Sequence, residues 1–278
     1  DMRTVFSRAG VAHVLSISGL HISLVAVASY GAWWWLLGRS RYLLLRLAMP
    51  KMAALLTILP VLFYAGLAGG SIATWRSVVM VLVYLLAIVL DGQEEVYRSL
   101  ALAALLISLL WPGALLEISF QLSFLSVLWI LLGMQRFSLW WDNKKTQRLT
   151  PLTFWQERIC YWLTSSLVIS LCAILASAPL TAFHFNQVSL IAVLANLLIV
   201  PLLGSASVIL GLSAAGLFLL HPTLATPVLA CAGFVTHAGV WLTQLIGGWS
   251  FAAFSVVTPS LFEMLLFYSL LTCGFLSI

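Results

Sequence analysis

The residues able to do chemistry in this sequence are few, and they stand inside apolar runs. His13, Ser16, Ser18, Gly19, His21 and Ser23 cluster in HVLSISGLHIS, residues 13–23. Arg76 lies in AGLAGGSIATWRSVVM, residues 65–80, shortly after a small-residue turn. Glu117, Phe120, Gln121 and Phe124 alternate with Ser119, Ser123 and Ser126 in EISFQLSFLSV, residues 117–127. His184, between Phe183 and Phe185, then Asn196 and Pro201 mark APLTAFHFNQVSLIAVLANLLIVPL, residues 178–202.

Each cluster admits a definite chemistry. Ser18 with His21 or His13 as base would make an intramembrane serine hydrolase. Against it, side chains three apart on one helix seldom reach Ser–His geometry, and no third group orients the base. On a helix at 100° per residue, His13, Ser16 and Ser23 share one arc, His21 and Ser18 another, and Gly19 lies on neither. Such a helix is either surrounded by protein or unwinds near Ser18-Gly19 beside an aqueous cavity, where irregular backbone is tolerated at membrane depth. Arg76 costs roughly 2.5–3.5 kcal/mol to insert. It either snorkels to the outer interface or faces a lumen where it meets an anion.

In the third cluster, Glu117, Phe120, Gln121 and Phe124 fall on one helical face and the three serines on the other. The first face is expected to look inward, because amides and carboxylates do not belong against lipid. Rings alternating with hydrogen-bonding groups suit a single nucleic-acid strand, which needs stacking and polar contacts; a packed ring pair with a satisfied Gln suits the same spacing. Asn196 within a span bonds across helices, and Pro201 loosens the helix five residues on. Together they predict a kink or a discontinuous helix beside a cavity, with His184 in an outer loop.

Other chemistries lack their residues. There is no GxxxxGK[ST] phosphate loop, no HExxH and no Cys/His set at zinc spacing. P-loop ATP hydrolysis is excluded, and neither a metal nor a cofactor is expected. Cys160, Cys172, Cys231 and Cys273 show no CxxC spacing and read as inert buried thiols.

The elements that must position these residues follow from composition. Of 278 residues, 63% are hydrophobic and 8% charged, against roughly 25% charged in soluble chains. This predicts an all-α, polytopic helical integral membrane protein of about nine to ten membrane segments, some broken or re-entrant. Candidates are 11–38, 52–70, 72–90, 99–112, 113–133, 158–178, 188–220, 224–247 and 259–278. Trp33, Trp34, Trp35, Trp140 and Trp141 fit interfacial belts.

All thirteen Lys and Arg residues lie between Arg3 and Arg158, mainly in the clusters Arg39 to Lys51 and Arg136 to Arg158. Positive-inside bias puts both clusters in the cytoplasm, with 91–98 as a further cytoplasmic turn. Residues 1–10, the Gly69-Gly70 turn and the loop at 179–187 then lie outside. Beyond Arg158 charge gives no direction. Without a repeat or linker the chain reads as one membrane domain, residues 1–278. Its opening on Asp1 and its apolar end read as a segment of a longer protein.

HVLSISGLHI, then an intramembrane Arg followed by Met80, then ISFQLSF, then PL-x-x-FHF with ANLLIVP, resemble in order and spacing the competence domain of the ComEC family. The resemblance runs from about Val11 to at least Pro201; the last residues carry no matching motif. It implies an inner-membrane channel that brings single-stranded DNA into bacterial cells during natural competence, not an enzyme. It also implies an extracytoplasmic DNA receptor and a cytosolic ATP-dependent DNA translocase as partners, beside the lipid bilayer. By the same resemblance the channel candidates are His13, Ser16, Ser18, Gly19, His21, Arg76, Glu117, Phe120, Gln121, Phe124, His184, Asn196 and Pro201. The family's OB-like and metallo-β-lactamase-like domains have no counterpart in these residues, so any nuclease activity lies elsewhere. A competing class is a small-solute transporter, in which Ser18-Gly19 and Asn196 with Pro201 form the interrupted helix pair.

Overall fold

The computed structural model describes residues 2–15, 19–46, 48–69, 72–90, 96–146 and 154–276. They are almost wholly helical, as the composition predicts. In chain order the helices are α1 (Met2–Arg8), a 3-10 turn (Ala12–Leu15), α2 (Gly19–Leu37), α3 (Arg41–Arg46), α4 (Met49–Leu67), α5 (Ile72–Val89) and α6 (Val96–Leu110). A second 3-10 turn (Pro112–Leu116) precedes α7 (Ile118–Thr146) and α8 (Phe154–Phe185). After β1 (Gln187–Ser189) come α9 (Ala192–Ile199), a π-helical segment (Val200–Ala206), α10 (Ser207–Leu220), α11 (Pro222–Gly247), β2 (Ala253–Ser255) and α12 (Leu261–Leu276).

Among the described residues six helical stretches are long and apolar enough to cross a bilayer, and three shorter apolar helices join them. Pro60, Pro179 and Pro227 lie inside helices α4, α8 and α11. Membrane helices tolerate such prolines because neighbours and local adjustments satisfy the freed carbonyl. Several boundaries depart from the expected segments, two of them at candidate residues. Residues 113–133 do not form one span, because Trp111 to Glu117 are a 3-10 turn and its flanks. The segment expected at 158–178 runs from Phe154 to Phe185, so His184 closes a helix and is not in a loop.

Backbone contacts group the chain into two compact units. One comprises His13–Phe120 and Val200–Val240. Its core is Ile22 and Ala26 of α2, Val61 and Ala65 of α4 and Val78 of α5, with Tyr64, Val81 and Leu82 against them. Alanines at two of these positions let the backbones approach, which is how helices associate when lipid removes the hydrophobic incentive. The π segment belongs here. A Cβ on Gly204 would lie 2.7 Å from Leu20 Cδ2, and one on Gly239 would lie 2.5 Å from Leu203 Cδ2. Two glycines thus seat the π turn against α2 and α11.

The other unit comprises Asp1–Ala12, Gln121–Ile199 and Trp241–Ile278. β1 and β2 pair antiparallel, Gln187 with Ser255 and Ser189 with Ala253. Arg8 Nη2 donates to the Trp249 carbonyl at 2.8 Å, and Ser189 Oγ donates to the Arg8 carbonyl at 2.8 Å. Gly10 at φ +77° makes the turn beside Ala192, a conformation that glycine adopts without strain. Ser260 and Glu263 form a capping box that starts α12: Glu263 Oε2 accepts from the Ser260 amide at 2.7 Å. Tyr268 then donates to the Ala176 carbonyl at 2.8 Å, and Phe275 packs edge-on to Trp129.

One expectation about side chains changes, that of the cysteines. Trp141 is buried and packs on Tyr161 and Phe137, whereas Trp140 is exposed. Cys160, Cys231 and Cys273 are exposed and Cys172 is half-buried. A soluble protein would hide such thiols, but on a membrane protein the outer surface is itself apolar.

Candidate functional site

Arg76 occupies the second turn of α5 and is 3% exposed. It does not snorkel into open solvent. Its Nη1 donates to Ser119 Oγ at 2.8 Å and stands 3.8 Å from Glu117 Oε2. Nε is buried without a partner. A buried donor left unpaired costs ~1–3 kcal/mol, so the guanidinium is held in a site that does not fully satisfy it.

The local backbone explains how Glu117 and Ser119 reach one guanidinium. Glu117 caps the 3-10 turn with extended dihedrals, φ −72° and ψ 128°, and α7 begins only at Ile118. The assignment of Glu117 to one face of a helix with Phe120, Gln121 and Phe124, opposite Ser119, is therefore overturned. A helical wheel does not apply across a chain that is extended at its first position. The Glu117 side chain is 42% exposed. At 3.8 Å the gross attraction is about 4 kcal/mol at an effective dielectric of 20. Solvent on the carboxylate reduces the net worth to roughly 1 kcal/mol, as for other accessible pairs.

Beyond Glu117 the ring and amide face is only partly open. Phe120 is 6% exposed, while Gln121 and Phe124 are half-buried.

The first motif meets the same stretch of α5. Gly19, expected beside another helix or a cavity, opens α2, and a Cβ there would lie 3.3 Å from Ser77 Oγ. Ser77 follows Arg76 directly, so Gly19, Arg76, Ser119 and Glu117 converge on the first two turns of α5. Ser16 and Ser18 lie outside the described residues. His13 sits in the 3-10 turn, is accessible and lies within electrostatic reach of His21, which is 7% exposed in α2. Ala12–Leu15 form a 3-10 turn and α2 is described from Gly19; whether the chain unwinds at Ser18-Gly19 falls on residues outside the described ones.

The remaining candidates do not join this cluster. His184 stacks edge-on against Phe183 at 5.0 Å in the last turn of α8. Asn196 is half-buried in α9, with Oδ1 buried and without a partner. Pro201 lies in the π-helical stretch, so the discontinuity expected in 188–220 is a widened turn and not a break into two spans. Pro201 cannot donate a backbone bond, and farther along the same segment the Ser207 hydroxyl donates to the Leu203 carbonyl one turn back. Sequence reasoning missed Ser77, which has no motif of its own, and assigned Ser119 to packing only. The glycines Gly204 and Gly239 carried no signal beyond composition.

Known families bear on this geometry directly. The profile of the family described as "Competence protein" matches residues 1–278, the whole chain. The chain belongs to that family. It is 28% identical over 202 residues to ComE operon protein 3 of Bacillus subtilis (strain 168), a match covering 72% of this chain and 22% of the relative. The chain thus spans under a quarter of the length of that relative. No solved structure matches it. Together with its apolar helices, family membership makes this a multi-spanning membrane protein of the competence system.

Proposed function

We propose that residues 1–278 act as one membrane domain of the bacterial inner membrane, a conduit that conducts single-stranded DNA into the cytoplasm during natural competence. The observation that carries this reading is the family match over the full chain. Supporting it, Arg76 is the one Lys or Arg side chain buried among the described residues, and the Glu117 carboxylate stands 3.8 Å from it to balance its charge. A wall with little fixed net charge suits a polyanion that must leave as readily as it enters. Phe120, Gln121 and Phe124 would add stacking and amide contacts, worth ~1–3 kcal/mol per base where rings are accessible. Gly19 packs on the same turns of α5; His13, Ser16, Ser18 and His21 belong to the motif that would continue this wall.

The conduit is not an enzyme in this reading. The hydrolase alternative needs a third group to orient the base, and the sequence supplies none beside Ser18. The driving force would come from a cytosolic ATP-dependent translocase, and strands would be delivered by an extracytoplasmic receptor. The widened π turn at Val200–Ala206 supports a second reading, a small-solute transporter whose substrate site lies at that irregular turn.

Photo-crosslinking separates the two. A benzophenone amino acid in place of Phe124 should capture labelled DNA during uptake by living cells, while one at Leu59, 75% exposed on α4, should capture none. Equal capture at both positions, or capture at neither, contradicts the conduit.

A further inference from the structure

A guanidinium carries five N–H donors in a planar fork suited to two oxygens of one anion. Arg76 uses Nη1 on Ser119 and leaves Nε buried without a partner. Its own carboxylate does not close the fork, because 3.8 Å from Nη1 is too long for a hydrogen bond. Glu117 balances the charge and leaves the donor geometry open.

The same cluster shows its accessible side. Arg76 is 3% exposed, whereas the Glu117 side chain is 42% exposed and Ser119 is exposed. An approaching group therefore meets the carboxylate and the hydroxyl before the guanidinium. Glu117 is anchored by backbone bonds alone: its amide donates to the Ala114 carbonyl, and its carbonyl accepts from the Phe120 amide, each at 3.0 Å. Its side chain can swing aside without breaking either bond.

We infer that Arg76 is a binding site for a single phosphodiester group and that Glu117 is its displaceable counterion. The incoming phosphate takes the fork, Glu117 turns to solvent, and the guanidinium is neutralised before, during and after the exchange. No step leaves an uncompensated buried charge, which would be costly. A phosphate thus binds only by the margin between its own pairing and that of the carboxylate. Weak, repeatable engagement is what a transiting strand requires. The inference rests on the single-strand reading above and adds to it the group that sets how tightly each phosphate is held.

The test uses the whole protein in phospholipid-free detergent and fluorescent oligothymidylate, with affinity measured across a salt series. Each phosphate contact in a single strand contributes ~0.7 to the slope of log affinity against log salt. Arg76→Ala should reduce that slope by about 0.7. Arg76→Lys should keep the slope but bind more weakly, having lost the fork. Glu117→Gln should bind roughly two- to fivefold more tightly, the worth of an accessible ion pair. If Arg76→Ala does not run as a monodisperse species, the opposite signs of Arg76→Lys and Glu117→Gln decide. An unchanged slope in Arg76→Ala, or weaker binding in Glu117→Gln, overturns the inference while leaving the conduit intact. No binding of oligothymidylate by the unmodified protein at any salt overturns both. A parallel series with vesicles of phosphatidylglycerol covers the other source of phosphodiesters. Dependence on Arg76 for vesicles but not for oligothymidylate would assign the site to lipid headgroups and overturn the DNA assignment.

Discussion

Gly239→Ala should destabilise the protein although alanine is the better helix former. The added Cβ would lie 2.5 Å and 2.6 Å from Cδ2 and Cγ of Leu203, which is buried in the π segment. Carbon atoms settle at about 3.5–4.0 Å, so Leu203 must retreat by roughly 1 Å within a packed contact. Overpacking of this kind costs ~1–3 kcal/mol, and relief of the glycine propensity returns up to ~1 kcal/mol. The net expectation is a loss of roughly 1–2 kcal/mol. Gly233, two turns earlier in α11, is the internal control, because a Cβ there meets nothing within 4 Å. Gly233→Ala should be neutral or stabilising. Heating each variant in detergent and following the monodisperse fraction gives the comparison. Gly239→Ala should lose half its fraction about 2–6 °C below the unmodified protein, and Leu203→Ala should cost less stability in the Gly239→Ala background than in the unmodified protein. If Gly239→Ala matches Gly233→Ala, the π segment is not seated on α11 as described.

Further outcomes follow from the same packing. Gly133 lies where a Cβ would overlap Cys172 Sγ but meet Cys172 Cβ at an ordinary 3.5 Å. Gly133→Ala should therefore lower thermal stability by ~1–3 kcal/mol, and Cys172→Ala should restore most of it; equal stability of the single and double variants would refute the contact. Direction through the membrane is also testable. β1–β2 pairing and the Tyr268–Ala176 bond set α12 antiparallel to α8, and Arg136 lies over the Phe275 ring at 5.8 Å. With Arg136 and Lys144 at the cytoplasmic end of α7, the turn before α12 belongs outside. Val257→Cys, 91% exposed, should react with an impermeant maleimide added to intact cells, and Lys144→Cys should react only after permeabilisation. The reverse pattern would invert the topology.

What the sequence made legible was governed by composition and charge. The helical membrane class, the rough positions of the spans and the need for a disturbance near Pro201 all follow from apolar length and from proline chemistry. The site was legible in its residue types but not in its geometry. Arg76 was identifiable because a lone basic residue in an apolar segment needs a partner. Its partners were not, because Glu117 and Ser119 were placed on opposite faces of a helix that starts one residue too late to include Glu117. Hydropathy does not mark that boundary, since the 3-10 turn PGALL is as apolar as the helix around it. His184 was misplaced for a related reason: Pro179 reads as a helix end in water, whereas a membrane helix continues through it. Close glycine contacts such as Gly239 with Leu203 depend on packing across elements, which spacing within one segment does not encode.

The central claim is that this protein passes a single DNA strand, and vesicle protection tests it most directly. The protein is reconstituted into sealed liposomes, labelled single-stranded or duplex DNA of equal length is added outside, and nuclease is added afterwards. The account predicts that single strands become protected in proportion to incorporated protein, that duplex stays fully degradable, and that protected strands are released when detergent opens the vesicles. Vesicles that pass small solutes while leaving both forms of DNA outside would contradict it and favour the transporter.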